Sequence, residues 1–271
     1  MNFKNSFSII VAFAIFIFCC TSCKRNTEFA PNEGEKGTIN LEFDNIAGSQ
    51  NFAFNTNYTN AQGEQFKVDM LRYFISNVTL KTSDGNTYTV PQDQSYFLID
   101  EALTTSQTIK LLNIPAGDYS ELSFVIGVDS LRNTMDISRR TGALDIATTA
   151  SGMYWTWNSG YIFFKMEGTS ESAPLEGSEK RFRYHIGSFG GYTIRTMNNV
   201  RNKTLVFGSN KAIVRENKTP KVHLTVDILK MFNNPSNNVS IATNHTVMAG
   251  PFSGTVANNY VEMFAFDYIH N

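Results

Sequence analysis

Beyond residue 37 the chain alternates apolar and polar positions in short runs. Ile39, Leu41 and Phe43 fall at every second position of Thr38–Phe43, and Val222, Leu224 and Val226 do the same in Lys221–Asp227. A period of two places such residues on one side of a pleated strand. Leu122-Ser-Phe-Val-Ile126 and Tyr161-Ile-Phe-Phe164 read as buried strands. Turn chemistry separates these runs at Ser83-Asp-Gly85, Pro115-Ala-Gly117 and Asn233-Asn-Pro235. Long helical periodicity is missing, so the pattern predicts an all-β fold, an antiparallel β-sandwich with elaborate loops. One or two short helices are expected, a turn within Leu131–Ala150 and a segment over Val256–Met263. The Asn-rich piece Asn233–Asn244 is expected to be an exposed loop.

The amino terminus follows other rules. Lys4 precedes an apolar run, Phe7–Phe18, and then Cys19, Cys20 and Thr21-Ser22-Cys23. A positive start, an apolar core and small residues before a cysteine describe an export signal. The run is about a dozen residues, too short to span a bilayer comfortably. Thr21-Ser22-Cys23 is similar to a bacterial lipobox, which makes Cys23 the expected lipid attachment point; the alternative is a plain secretory peptide. The expected organisation is a signal peptide over 1–22, a lipidated tether over 23–37 and one domain over 38–271. All three cysteines lie at or before Cys23, so the domain has no disulfide, thiolate metal site or cysteine nucleophile.

Composition changes the picture little. The formal net charge is −1, and basic residues form no long run, which argues against nucleic acid as a partner. The only expected membrane attachment is the lipid at Cys23. The 22 Phe and 11 Tyr suit half-buried pleated surfaces.

Candidate chemistry concentrates between residues 153 and 191. Both tryptophans, Trp155 and Trp157, lie there with Met153 at spacings of two. On a strand these three would share one sulfur-and-indole face, and soft sulfur with imidazole suits copper better than hard cations. The same face would also serve as ordinary core. Of the four histidines, His185 ends a strand-like run. His223 shares a strand face with Asp227, as a solvent-facing strand would have it. His245 lies three residues before Met248, so the two can reach one soft ion if the loop turns. His270 adjoins the carboxyl end and would have to fold back. Asp129, Asn133 and Asp145 would suit a hard cation or, equally, turn caps. No nucleophile elbow, phosphate loop or His-Glu-Xaa-Xaa-His is present, so the chain is not expected to be an enzyme.

Seven motifs in order carry a family resemblance: Leu71-Arg-Tyr-Phe-Ile-Ser-Asn77, Asp84-Gly85, Ile114-Pro-Ala-Gly-Asp-Tyr119, Ile126-Gly-Val-Asp-Ser-Leu-Arg-Asn133, Thr141-Gly-Ala-Leu-Asp145, Gly152-Met-Tyr-Trp-Thr-Trp-Asn-Ser-Gly-Tyr161 and Tyr184-His-Ile-Gly-Ser188. From Thr38 to Asn271 the chain resembles the MbnP-like copper-binding domain, named for the methanobactin-associated periplasmic protein. The resemblance implies a copper cofactor, Cu(I) or Cu(II), with His185 as the favoured ligand, helped by His245, Met248 or His270. It also implies that Trp155 or Trp157 is open to oxidation to kynurenine by a di-haem peroxidase-like partner; an outer-membrane transporter is another expected partner. Phe189-Gly-Gly191 stands where part of the family has a cysteine motif, which marks a divergent lipoprotein branch. The expected function is copper storage, acquisition or handover by an exported, membrane-anchored lipoprotein. Its expected place is the periplasmic side or cell surface, the outer membrane above all. The alternative is an accessory lipoprotein that binds glycan or protein through exposed aromatics.

Overall fold

The structure is a computed structural model that describes residues 34–157, 160–234 and 237–271. The expected signal peptide, lipobox and most of the tether lie outside these residues. Ten principal strands follow in chain order: β1 (Lys36–Ala47), β2 (Gln65–Thr82), β3 (Tyr96–Asp100), β4 (Thr108–Pro115), β5 (Gly117–Ile126), β6 (Gly160–Thr169), β7 (Arg181–Gly187), β8 (Arg201–Val206), β9 (Lys221–Asp227) and β10 (Phe264–His270). Two short helices, α1 (Ser130–Asn133) and α2 (Pro251–Tyr260), fall where the sequence predicts helical turns. The protein is a β-sandwich. Its smaller sheet runs β10–β9–β1–β4, and its larger sheet follows β8–β5–β2–β6–β7 and ends on the two-residue strand Thr246–Val247.

The alternating strands behave as their pattern requires. Ile39, Leu41 and Phe43 on β1 and Val222, Leu224 and Val226 on β9 are fully buried between the sheets. They meet Leu71, Tyr73 and Ile75 of β2 and Phe164 and Met166 of β6 in one core. Each such side chain contributes roughly 1.5–3 kcal/mol by leaving water. Tyr73 crosses the gap, and its hydroxyl donates to Asn45 Oδ1 at 2.9 Å.

Two expectations need correction. The sheets are mixed, not purely antiparallel: β1 lies parallel to β9, and β7 lies parallel to Thr246–Val247. Both parallel partners are distant in sequence, where no hairpin dictates direction. The Asn-rich segment is also more than an exposed loop, because Val239 and Ile241 are fully buried. The Glu64 carboxylate fastens it, accepting from the Ser240 hydroxyl and from the backbone N–H groups of Ile241 and Ala242 at 2.8–2.9 Å.

A third layer positions the site. Strand residues on the outward face of the large sheet include Phe74, Leu98, Tyr161 and Phe163, and residues 128–155 lie over them. Val128, Leu144, Ala150, Met153 and Trp155 complete a second hydrophobic cluster there. Polar residues stand on this outward face beside the cluster. Asp100, Arg72, Lys165 and His185 stand in one cross-strand row over β3, β2, β6 and β7.

Candidate metal centre

Four of the seven sequence motifs meet in the third layer. Asp129 caps α1 by accepting from Arg132 N at 3.0 Å, and Asn133 accepts from Tyr161 N at 3.0 Å while donating to Val128 O at 2.6 Å. Tyr161 in turn donates to Leu144 O at 2.6 Å. Asp145 accepts from Ala147 N at 2.9 Å. These polar residues therefore hold turns. The following segment is tied to the sheet from below, because Arg72 donates to Thr149 O and Ser151 O, both at 2.7 Å, and Lys165 donates to Gly152 O at 3.2 Å.

The tryptophan face is not a continuous strand, as the spacing predicts. Only Tyr154–Trp155 pairs, against Gly160 and Tyr161 of β6. Met153 precedes it in a bend and is fully buried, whereas Trp157 follows in a turn and is 64% exposed. Gly160, the first residue of β6, pairs directly with Trp155, so the two-residue strand ends there. The two indoles still touch, with ring centroids 5.1 Å apart. Trp155 lies on Gly187, where an added Cβ would sit 2.8 Å from its ring and 2.4 Å from Tyr161 O.

His185 stands two residues before Gly187 on the same face of β7. Its Nε2–H donates to Glu167 Oε1 of β6 at 2.8 Å, and only 12% of the imidazole is exposed. Nδ1 makes no hydrogen bond among the described residues. The His185 hydrogen bond holds the Glu167 carboxyl down to about 2, against the opposing effect of burial and with help from Lys165 3.3 Å away. A carboxylate that takes one ring nitrogen fixes the tautomer and leaves the other as a donor, the usual environment of a metal-binding histidine. Just past β7, Ser188 takes a left-handed backbone (φ 80°), uncommon outside glycine. Asn199 Nδ2 holds the turn by donating to Gly187 O at 2.7 Å and to Ser253 Oγ of α2 at 2.8 Å.

The other sequence candidates separate. Met248 directly follows the parallel pairing of Val247 with Tyr184, and it packs on the second cluster that contains Met153 and Trp155. It therefore belongs to the same corner as His185. His245 turns instead to Glu176 at 3.1 Å, a carboxylate shared with Arg183 at 2.6 Å. His270 ends β10 opposite Lys221 in the smaller sheet. It does not fold back, because the terminus extends a strand and Asn271 is tied to Ile213 N and Lys211 O. His223 stacks on Tyr268 at 4.5 Å between Asp44 and Asp267. Asp227, its expected neighbour, accepts from Gly48 N and Leu229 N. Among the described residues no group of three or more His, Cys, Asp or Glu side chains is placed to hold a metal. Glu167 is the residue that sequence reasoning missed, since a glutamate alternating with Lys165 on a strand reads as solvent face.

Comparison with known proteins agrees with this architecture. None of the curated sequences compared matches the chain. The solved structure of MbnP from Methylosinus trichosporium is similar in fold, with 17% identity, a TM-score of 0.50, and 80% of this chain and 82% of that chain covered. The family model described as MbnP matches residues 36–249, and this chain belongs to the MbnP family.

Proposed function

We propose that this protein is an extracytoplasmic lipoprotein that binds one copper ion and holds it or passes it on without catalysing a reaction. The carrying observation is the His185–Glu167 pair, which leaves Nδ1 unbonded on a strand whose parallel neighbour runs directly into Met248, itself packed on the cluster of Met153 and Trp155. One imidazole with thioethers suits a soft, monovalent ion, so Cu(I) is the favoured state. His185 and Met248 would bind the ion, and the indole would shield it from water. His245 and His270 have no part in this reading. Lipid attachment at Cys23 and an outer-membrane location rest on the lipobox; a transporter or a di-haem peroxidase-like enzyme would be the partner in metal or electron traffic. Competition against a chromophoric chelator tests the site. A Met248→Leu variant should lose Cu(I) affinity by about tenfold or more and keep its Cu(II) affinity, since thioethers favour the softer ion. Equal Cu(I) affinity in variant and parent would remove Met248 from the site.

A second reading is favoured by a different observation. Trp157, Tyr192 and Ile194 are 64%, 72% and 79% exposed. In that reading the same scaffold binds a glycan or a protein through these side chains. Trp157→Ala and Tyr192→Ala should then abolish retention on a glycan array or partner column while leaving copper binding unchanged.

A further inference from the structure

A cleft of about 450 Å3 opens on the outer layer between the turn at Asp93–Gln94 and the loop at Arg139–Thr141, floored by Tyr96 and Arg132. Arg132 is a cation only 5% exposed, and a buried charge is costly unless well paired. Its pairing is incomplete. The guanidinium lies 4.8 Å over the Tyr96 ring. Its Nη1 reaches Arg139 O at a long 3.4 Å and Met135 Sδ, a weak acceptor, at 3.5 Å. Its Nη2 meets the Asp93 carboxylate, and its Nε makes no hydrogen bond of good geometry among the described residues. Nε and Nη2 form the side-on fork with which arginine binds a carboxylate through both oxygens. Asp93 uses half of that fork and is itself 77% exposed. The Arg139 side chain, on the rim, has no carboxylate partner among the described residues.

We propose that this cleft binds a small organic carboxylate, which displaces Asp93 from Arg132, fills both Nε and Nη2, and gains Arg139 as a second cation. Its volume lies in the range of small-ligand pockets, and the exposed Thr141 and Gln94 supply polar partners for a hydroxylated ligand such as a sugar acid. Asp93 is then an internal competitor that lowers the apparent affinity. The proposal does not rest on the copper reading, because the cleft shares no residue with His185, Glu167 or Met248.

The test uses the full-length protein in detergent, free of metal, with succinate and glucuronate as probes and equal ionic strength of chloride as control. Asp93→Asn should melt at a lower temperature than the parent. Either probe should restore that loss, and binding to Asp93→Asn should be about tenfold tighter than to the parent, the competitor having been removed. Adding Arg139→Ala to Asp93→Asn should cancel the rescue. A response to glucuronate alone would narrow the ligand to hydroxylated acids. If neither carboxylate raises the melting temperature of Asp93→Asn beyond the chloride control, the proposal is overturned and Arg132–Asp93 is a structural ion pair. The same holds if Asp93→Asn binds no more tightly than the parent.

Discussion

The Trp155 indole rests on Gly187, two residues along the same strand face from His185. A methyl group at position 187 would meet Tyr161 O at 2.4 Å and Trp155 at 2.8 Å. Neither neighbour can yield freely, since one is strand backbone and the other is packed in the second cluster. Gly187→Ala should therefore cost on the order of 1–3 kcal/mol, the range for overpacking, and lift the indole from the sheet. Urea unfolding followed by tryptophan fluorescence checks this, with a lower midpoint and a red-shifted native spectrum expected. A variant with the parent's midpoint and spectrum would show that the indole is not held there.

The Glu167–His185 pair makes a pH prediction with a definite sign. The folded carboxyl titrates at about 2, below its ordinary 4.5. Its contribution to stability is thus present above the unfolded value and lost as pH falls through the folded one. That contribution is on the order of 2 kcal/mol, because Glu167 is only 18% exposed. The parent should be more stable than Glu167→Gln at neutral pH, and the difference should shrink below about pH 4.5. Chemical denaturation at both ends of that window reads the effect. A difference that does not change with pH would contradict the assignment.

Arg72 governs the loop that carries the tryptophans. It donates to Thr149 O and Ser151 O and pairs with Asp100 at 2.9 Å. Arg72→Ala removes both carbonyl contacts, and hydrogen exchange across residues 148–157 should accelerate by at least about tenfold, the effect of losing local stability of this size. Unaltered exchange would mean that packing alone seats the loop.

The two tryptophans should differ in reactivity. Trp157 is 64% exposed and Trp155 only 7%. By this geometry Trp157 is the residue an external oxidant reaches, and the modification that the family resemblance implies should fall there first. Mass spectrometry of the peptide spanning Gly152 to Lys165, from native protein and after mild oxidation, locates it. Oxidation at Trp155 before Trp157 would contradict the model of access.

Local features were legible where local physics decides. The period-two runs at Ile39–Phe43 and Val222–Val226, the turns at Asp84-Gly85 and Ala116-Gly117, and helical turns near Leu131 and Val256 all follow from side-chain pattern and turn chemistry. What depends on distant pairing was not. Nothing near β1 or β9 announces that the two run parallel. The spacing of Met153, Trp155 and Trp157 suggests one strand, but the reversal into Gly160 leaves a strand of only two residues. Glu64 and Glu167 look like solvent-face glutamates until tertiary structure brings Ile241 and His185 to them. His270 could be assigned to a sheet only once its strand partner was known.

The central claim is that His185 anchors a copper site, and stoichiometric Cu(I) titration of the full-length protein against a competing chelator tests it most directly. The account predicts one tight equivalent in the parent, lost in His185→Ala and retained in His270→Ala and His245→Ala. Parent protein that binds no Cu(I) beyond what exposed histidines take up, or a His185→Ala variant with the parent's affinity, would contradict it.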